Sequence, residues 1–307
     1  MAGQAQVVPR GVRRLKYLYG TVTQIELRSF LEISSMDNAA RKQEIRAAWA
    51  AAVERFEELR RLEAGMPDGI ATQQLSVENA LRAEELRRDA SFVSTFSNYP
   101  ISVEEVEIDK LVASQRTVHI EFVDHLIEQY QAGPDLFAFC LAPAQGASAI
   151  SIGRTAQNAF TASSDNPGLR FLGGFEEPYR PGMLQIDVPG GQTIRVVLLA
   201  LGFGASTANV YRVGTRMILN NGFHRLYALR SLGITHAPVV IQQVTHPEVE
   251  LPPVITELPR EYLIGNPRPA VMKDFFDDRL TCEITQRGFL KSVQIGWGVS
   301  ESMVPLG

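Results

Sequence analysis

Between Arg216 and Val244 the chain changes periodicity twice, and this stretch limits the fold more than any other. Arg216 to Leu219 is apolar and strand-like, Asn220-Asn221-Gly222 reads as a tight turn, and Gly222 to Leu232 reads as a helix closed by Gly233. Ala237 to Val244 then forms a continuous apolar run, the pattern of a strand buried on both faces. Upstream, Asn209 to Val213 and Arg216 to Leu219 flank Gly214-Thr215, a hairpin-type turn. A strand–turn–helix–strand order of this kind makes the chain α+β.

The bend from strand to helix carries the sharpest chemical signal. The amides of a first helical turn have no intrahelical acceptor, and with the macrodipole they welcome an anion. Gly222 lets the backbone approach a ligand, Arg225 offers a planar fork of donors suited to phosphate, and His224 can donate a second hydrogen bond or titrate near neutrality. The bland reading is that Asn-Gly is a common tight turn and that an arginine there meets a nearby carboxylate.

The other segments fall into place around this unit. Residues 12 to 34 alternate loosely and read as extended. Ile45, Trp49, Ala52, Phe56 and Leu59 form one stripe of a helix from about 37 to 64, stopped by Gly65 and Pro67. A second helix is expected over 77 to 92, so that 37 to 92 form a helical hairpin suited to packing within the chain or between subunits. Ile101 to Ile108 reads as a strand, 118 to 131 as a short helix, and Leu136 to Ala142 as a second strand. Residues 143 to 192 are rich in Gly, Pro, Ser and Asn and are expected to be loops with short strands at Leu169 to Gly173 and Leu184 to Val188. Ile194 to Leu201 has the pattern of a fully buried strand. The prolines from Pro247 to Pro269 mark an extended connector, followed by a short helix near 272 to 278 and strands near 281 to 286 and 291 to 297. Three regions result: an arm and hairpin (1–100), a central domain (101–246) with the loop insertion 143–192, and a Pro-rich connector with a small β extension (247–307).

Arg216 to Ile241 resembles the core of the ParB/sulfiredoxin-like superfamily, with its Gly-x-x-Arg turn at Gly222 to Arg225, Ala228 three residues on, and the exit Leu232-Gly233 to Pro238-Val239. Val106 to Gln115 and the helix to Tyr130 are similar to that family's opening strand–turn–helix. The resemblance covers 101–142 and 194–244 and implies a mixed sheet with a nucleotide-phosphate pocket at Asn221, Gly222, His224 and Arg225, rimmed by Asp109 and Gln115. The ligands it implies are ATP, ADP or CTP, with Mg²⁺ as a companion. Departures limit the chemistry. Phe223 stands where sulfiredoxins carry a reactive cysteine, which excludes sulfinic-acid repair. Asn221 stands where the related free-amino-acid kinases carry aspartate. Phe223 also replaces the glutamate usual in DNA-partition members, and no helix-turn-helix pattern follows residue 245.

Composition sets the remaining bounds. Hydrophobic residues make up 45% and charged residues 21% of 307, ordinary values for a folded chain with a large core. A formal charge of −4 argues against a surface built throughout for nucleic acid. Cys140 and Cys282 have no CxxC spacing and read as buried thiols of a reducing compartment, here the cytoplasm. Met1 to Leu18 has four basic residues and no apolar core, so no secretory signal is expected, and no apolar run approaches the roughly 20 residues of a membrane span.

Weaker candidates are set aside on spacing. Gly202 to Thr207 lacks the Gly-Lys-Ser/Thr ending of a phosphate loop. His119, Asp124 and His125 fall on different helix faces, against a metal site. Glu176-Glu177 and Asp277-Asp278 point apart as sequence neighbours and read as solvated. The basic start Arg10, Arg13, Arg14 and Lys16 is expected to be solvated or to grip an acidic neighbour. The leading expectation is a protein that binds a nucleotide or phosphorylated small molecule, with phosphoryl transfer or hydrolysis as extensions and His224 the candidate catalytic group. The alternatives are a non-catalytic protein assembling into a homo-oligomer through its N-terminal helices and, third, nucleic-acid binding through the basic start.

Overall fold

The computed structural model describes residues 11–133, 135–141, 149–164, 169–178, 195–203, 207–288 and 291–303. In chain order the elements are β1 (Val12–Tyr17), α1 (Gln24–Ile33), α2 (Ala39–Leu62), β2 (Thr72–Gln73), α3 (Val77–Leu86), α4 (Ala90–Phe96), β3 (Ile101–Glu107) and β4 (Thr117–His119). There follow α5 (Ile120–Gln131), α6 (Leu136–Leu141), β5 (Ser151–Ala156), β6 (Ala159–Ser164), β7 (Leu169–Pro178), β8 (Arg195–Phe203), β9 (Asn209–Val213) and β10 (Arg216–Asn221). The chain ends with α7 (Phe223–Ser231), β11 (His236–Val244), α8 (Pro247–Glu250), β12 (Val254–Ile255), β13 (Leu258–Pro259), α9 (Arg260–Gly265), β14 (Cys282–Arg287) and β15 (Lys291–Gly296). The protein is mixed α+β with mixed sheets. Among the described residues no helix is long and apolar enough to cross a membrane.

Contacts divide the chain into two units that cut across the sequence regions: 1–144 with 205–288, and 145–204 with 289–307. The first unit is built on a five-stranded sheet ordered β10-β9-β11-β3-β2, in which β9 and β11 are parallel and the other neighbours antiparallel. Helix α7 crosses from β10 to β11 and buries Phe223, Leu226, Tyr227, Ala228 and Leu229. These join Val106, Val210, Met217, Leu219, Val239 and Val240 in the main core. At about 25 cal/mol per Å² of apolar surface, burying each large side chain is worth roughly 1.5–3 kcal/mol before conformational entropy is counted. A second sheet, β14-β1-β4, covers a smaller cluster that includes Leu15, Leu27, Leu31 and Ile45.

Four sequence expectations are corrected here. Residues 12 to 34 are not extended throughout: only β1 is, and α1 follows because Thr23 is an N-cap rather than a strand residue. Its side chain accepts from the Glu26 N–H while Glu26 caps the Thr23 amide in return, a capping box that overrides β-branched propensity. Of the strand expected over Leu136 to Ala142, the described residues Leu136–Leu141 are helical. Asp135 Oδ1 accepts from the Ala138 N–H at 2.8 Å and starts α6, whose end at Leu141 borders residues outside the described set. The proline-rich stretch is not an extended connector, for Leu251, Ile255, Leu258, Leu263 and Val271 pack into a buried cluster of the first unit. Helix α2 packs chiefly on the 19–21 turn and α1, and the single second helix expected over 77 to 92 is two, α3 and α4.

The second unit contains the sheet β15-β6-β5 and the ribbon β7-β8. Among the described residues the apolar run of β8 pairs with β7 alone, and the expected two-sided burial fails: Val197 is 71% exposed. Residues 184–188 lie outside the described residues. Arg14 and Lys16 of the basic start turn toward the protein. Arg14 pairs with Glu121 and Asp124, and Lys16 with Asp278.

Candidate functional site

The predicted bend is present. β10 ends at Asn221, Gly222 takes φ +89° and ψ 12°, and α7 starts at Phe223. Only glycine occupies that left-handed region freely. The first bond of the helix runs from the Leu226 N–H to the Gly222 carbonyl at 2.9 Å, so the amides of Phe223, His224 and Arg225 lie ahead of it. The Gly222 amide itself donates to Asn221 Oδ1 at 2.8 Å.

The side chains around the bend serve the fold more than the sequence suggests. A Cβ on Gly222 would lie 2.8 Å from Ala208 Cα and Cβ, so Ala208, rather than a ligand, takes the space that glycine opens. Asn220 Nδ2 donates to Asn209 Oδ1 at 2.8 Å, and Gln242 Nε2 donates to the same oxygen at 3.0 Å. Asn209 and Gln242 are buried, and this amide network satisfies them.

His224 differs most from its expected role. Its Nε2 accepts the main-chain N–H of His119 at 3.1 Å, which fixes the neutral ring with its proton on Nδ1. Its neighbours are the rings of His119 and Phe122, each 5.4 Å away between centroids, and Phe223 at 5.9 Å. Burial first, and His119 second, push its pKa down to about 3. Burial and the His119 N–H thus hold the imidazole neutral, against a role as a general acid or base poised near neutrality.

Arg225 donates to the Cys140 carbonyl at 2.9 Å and lies 5.4 Å from the Phe139 ring centroid. It ties α7 to the end of α6 through that carbonyl. Burial lowers its pKa below the usual arginine value, and burial pushes the neighbouring Cys140 thiol up to about 12, leaving it inert as a nucleophile.

The two expected rim groups separate. Asp109 meets Arg230 through bonds of 2.6 and 3.1 Å at the far end of α7, roughly 10 Å of helix rise from the bend, so it is not a rim residue. The segment before Gln115 does run beside β10: Val112 bridges Ile218 in parallel, and Ser114 Oγ donates to the Leu219 carbonyl. Gln115 Nε2, however, donates to the Thr117 carbonyl at 2.6 Å. His119, Cys140, Ala208 and Asn209 complete the site and were not assigned to it from sequence. They lie 11 to 105 residues from the bend residues they meet, and no local pattern marks such pairs.

Two grooves, of about 430 and 590 Å³, run along α2 and include no residue of the bend. Their charges pair with one another, as in Lys16–Asp278, Arg41–Glu44 and Arg55–Glu58. Among the described residues no three His, Cys, Asp or Glu side chains gather to hold a metal. Comparison with known proteins finds no matching family model, no matching curated protein and no matching solved structure.

Proposed function

We propose that this chain binds a phosphorylated small molecule, a nucleotide such as ATP, ADP or CTP, at the β10–α7 bend of a ParB/sulfiredoxin-like domain, without chemistry at His224. The observation that supports this reading is the left-handed Gly222 followed by three amides ahead of the first helical bond, with the Arg225 guanidinium in the same turn. Such a bend supplies oriented donors and positive potential for an oxyanion. The locked neutral His224 removes the group that would have moved a proton. Isothermal titration with ATP, ADP and CTP, with and without Mg²⁺, tests the reading. One of them should bind wild type with Kd below about 1 mM. Arg225→Ala, shown to be folded by circular dichroism, should weaken that binding about 10- to 100-fold, the worth of a charge-assisted hydrogen bond. No binding of any of the three by wild type removes this reading.

A second reading, assembly into a homo-oligomer, is favoured by apolar side chains turned outward on the N-terminal helices. Ile25 and Ile33 of α1 are each 82% exposed, and Val77 of α3 is 81% exposed. Light scattering should then give a multiple of the chain mass, reduced to that of one chain by Ile33→Glu with Val77→Glu. A wild-type monomer at tens of micromolar ends this reading.

A further inference from the structure

We propose that the His119–His224 contact is an acid-sensitive latch, which holds the β4–α5 corner against α7 at neutral pH and releases it when the pair is protonated. The argument starts from the bond. His119 is the N-cap of α5, and its main-chain N–H donates to His224 Nε2 at 3.1 Å. That nitrogen can accept only while unprotonated. A proton there sets N–H against N–H, and the bond is lost.

The surroundings do not accommodate the charge. Phe122 from α5 and Phe223 from α7 lie at 69° and 80° to the imidazole plane and offer it no carboxylate, and Phe223 packs in turn on Phe275 at 5.1 Å. Both histidines also sit at helix starts, where the macrodipole disfavours a cation. The charged groups nearby give the same sign on balance. Arg225 is the next residue of α7, His119 faces from β4, and Arg13 of β1 acts against charging His119. Glu121 of α5 acts the other way, but its carboxylate is engaged by the Arg14 amide and Nε at 3.0 and 3.1 Å.

The contact also has mechanical consequences. β4 pairs with β1 (Leu15 opposite His119), and β1 pairs with β14, so His119 belongs to the smaller sheet while His224 belongs to the helix on the main sheet. Opening the latch uncouples α5 and the small sheet from α7, which begins at Phe223. The sign follows from linkage. His224 is held far below its ordinary pKa in the closed form, so the open form binds more protons, and closure weakens progressively as pH falls below about 6.5. For His224 alone, with an ordinary pKa of about 6.5 when open, the open population rises about 25-fold from pH 7 to pH 5.

Hydrogen–deuterium exchange of the full chain at pH 7 and pH 5, corrected for intrinsic rates, tests this in peptides covering 117–131 and 223–231. Wild type should lose protection there about 20-fold at pH 5, while peptides from β3 change little. His224→Gln, whose side-chain oxygen can accept from the same N–H but does not titrate, should reduce that change to less than threefold. Equal protection of wild type at both pH values, or an undiminished change in His224→Gln, overturns the latch. Should that variant not fold, the His224 ring resonances of wild type decide. No titration above pH 5 supports the latch, and a midpoint near 6.5 in the folded protein rejects it.

Discussion

Replacing Arg268 with alanine should destabilise the first unit by about 3–5 kcal/mol, because the change strands buried charge. Arg268 is fully buried. It donates to both oxygens of Asp274, itself 1% exposed at the side chain, and to Glu63 Oε2 at 2.8 Å. Asp274 in turn caps the Val271 amide at 2.9 Å, and Lys273 donates to Glu63 at 2.8 Å. The network thus fastens the end of α2 to residues 266–277. For a chain of this size each kcal/mol moves Tm by about 2–4 °C, so a drop of about 10 °C is expected in thermal unfolding. Arg268→Met with Asp274→Leu removes both deeply buried charges and should recover part of the loss. A shift under 2 °C for Arg268→Ala would show that water reaches the site. The network also has an acid limb. Burial alone would raise Glu63, but bonds from Lys273 and Arg268 outweigh it and hold the carboxyl below its ordinary value. Its contribution is therefore present above the ordinary carboxylate pKa and is lost as pH falls through the lowered one.

Gly222→Ala is the second large effect, expected at about 2–5 kcal/mol. The left-handed conformation costs a non-glycine residue roughly 1–2 kcal/mol, and overpacking typically adds 1–3 kcal/mol. The new Cβ would stand 2.8 Å from Ala208 Cα, a backbone atom that cannot swing aside. Gly233 is the control. Its φ of +84° is similar, but nothing lies within 4 Å of a Cβ there, so Gly233→Ala should cost only the conformational part. Urea denaturation of the two variants separates the contributions. Equal losses would mean that Ala208 yields freely and that the bend is less constrained than its geometry implies.

The bend was legible because each step in it has a local cause. The β-rich run into Asn221, a glycine where φ must be positive, and an exit at Gly233 need no distant partner to be recognised. The failures are equally specific. The Thr23–Glu26 capping box was readable but hidden by the β-branched neighbours Thr21 and Val22. Asp135 as a cap for α6 was readable too, yet an apolar run as short as Leu136 to Leu141 has no period that separates helix from strand. In β8 the apolar pattern was real, and what failed was the inference that a second face would cover it.

Sequence by itself determined the α+β class, the strand–bend–helix unit and the need for glycine at position 222, since these depend on backbone sterics and on periodicities of 2 and 3.6. Only the tertiary structure decided what the polar side chains of the bend do. His224 became an acceptor for His119, Arg225 an anchor on Cys140, and Asp109 a partner of Arg230 at the other end of the helix. A side chain's protonation and hydrogen-bonding role is set by what lies within about 4–6 Å of it. In a mixed sheet with a crossover helix, those neighbours come from far along the chain.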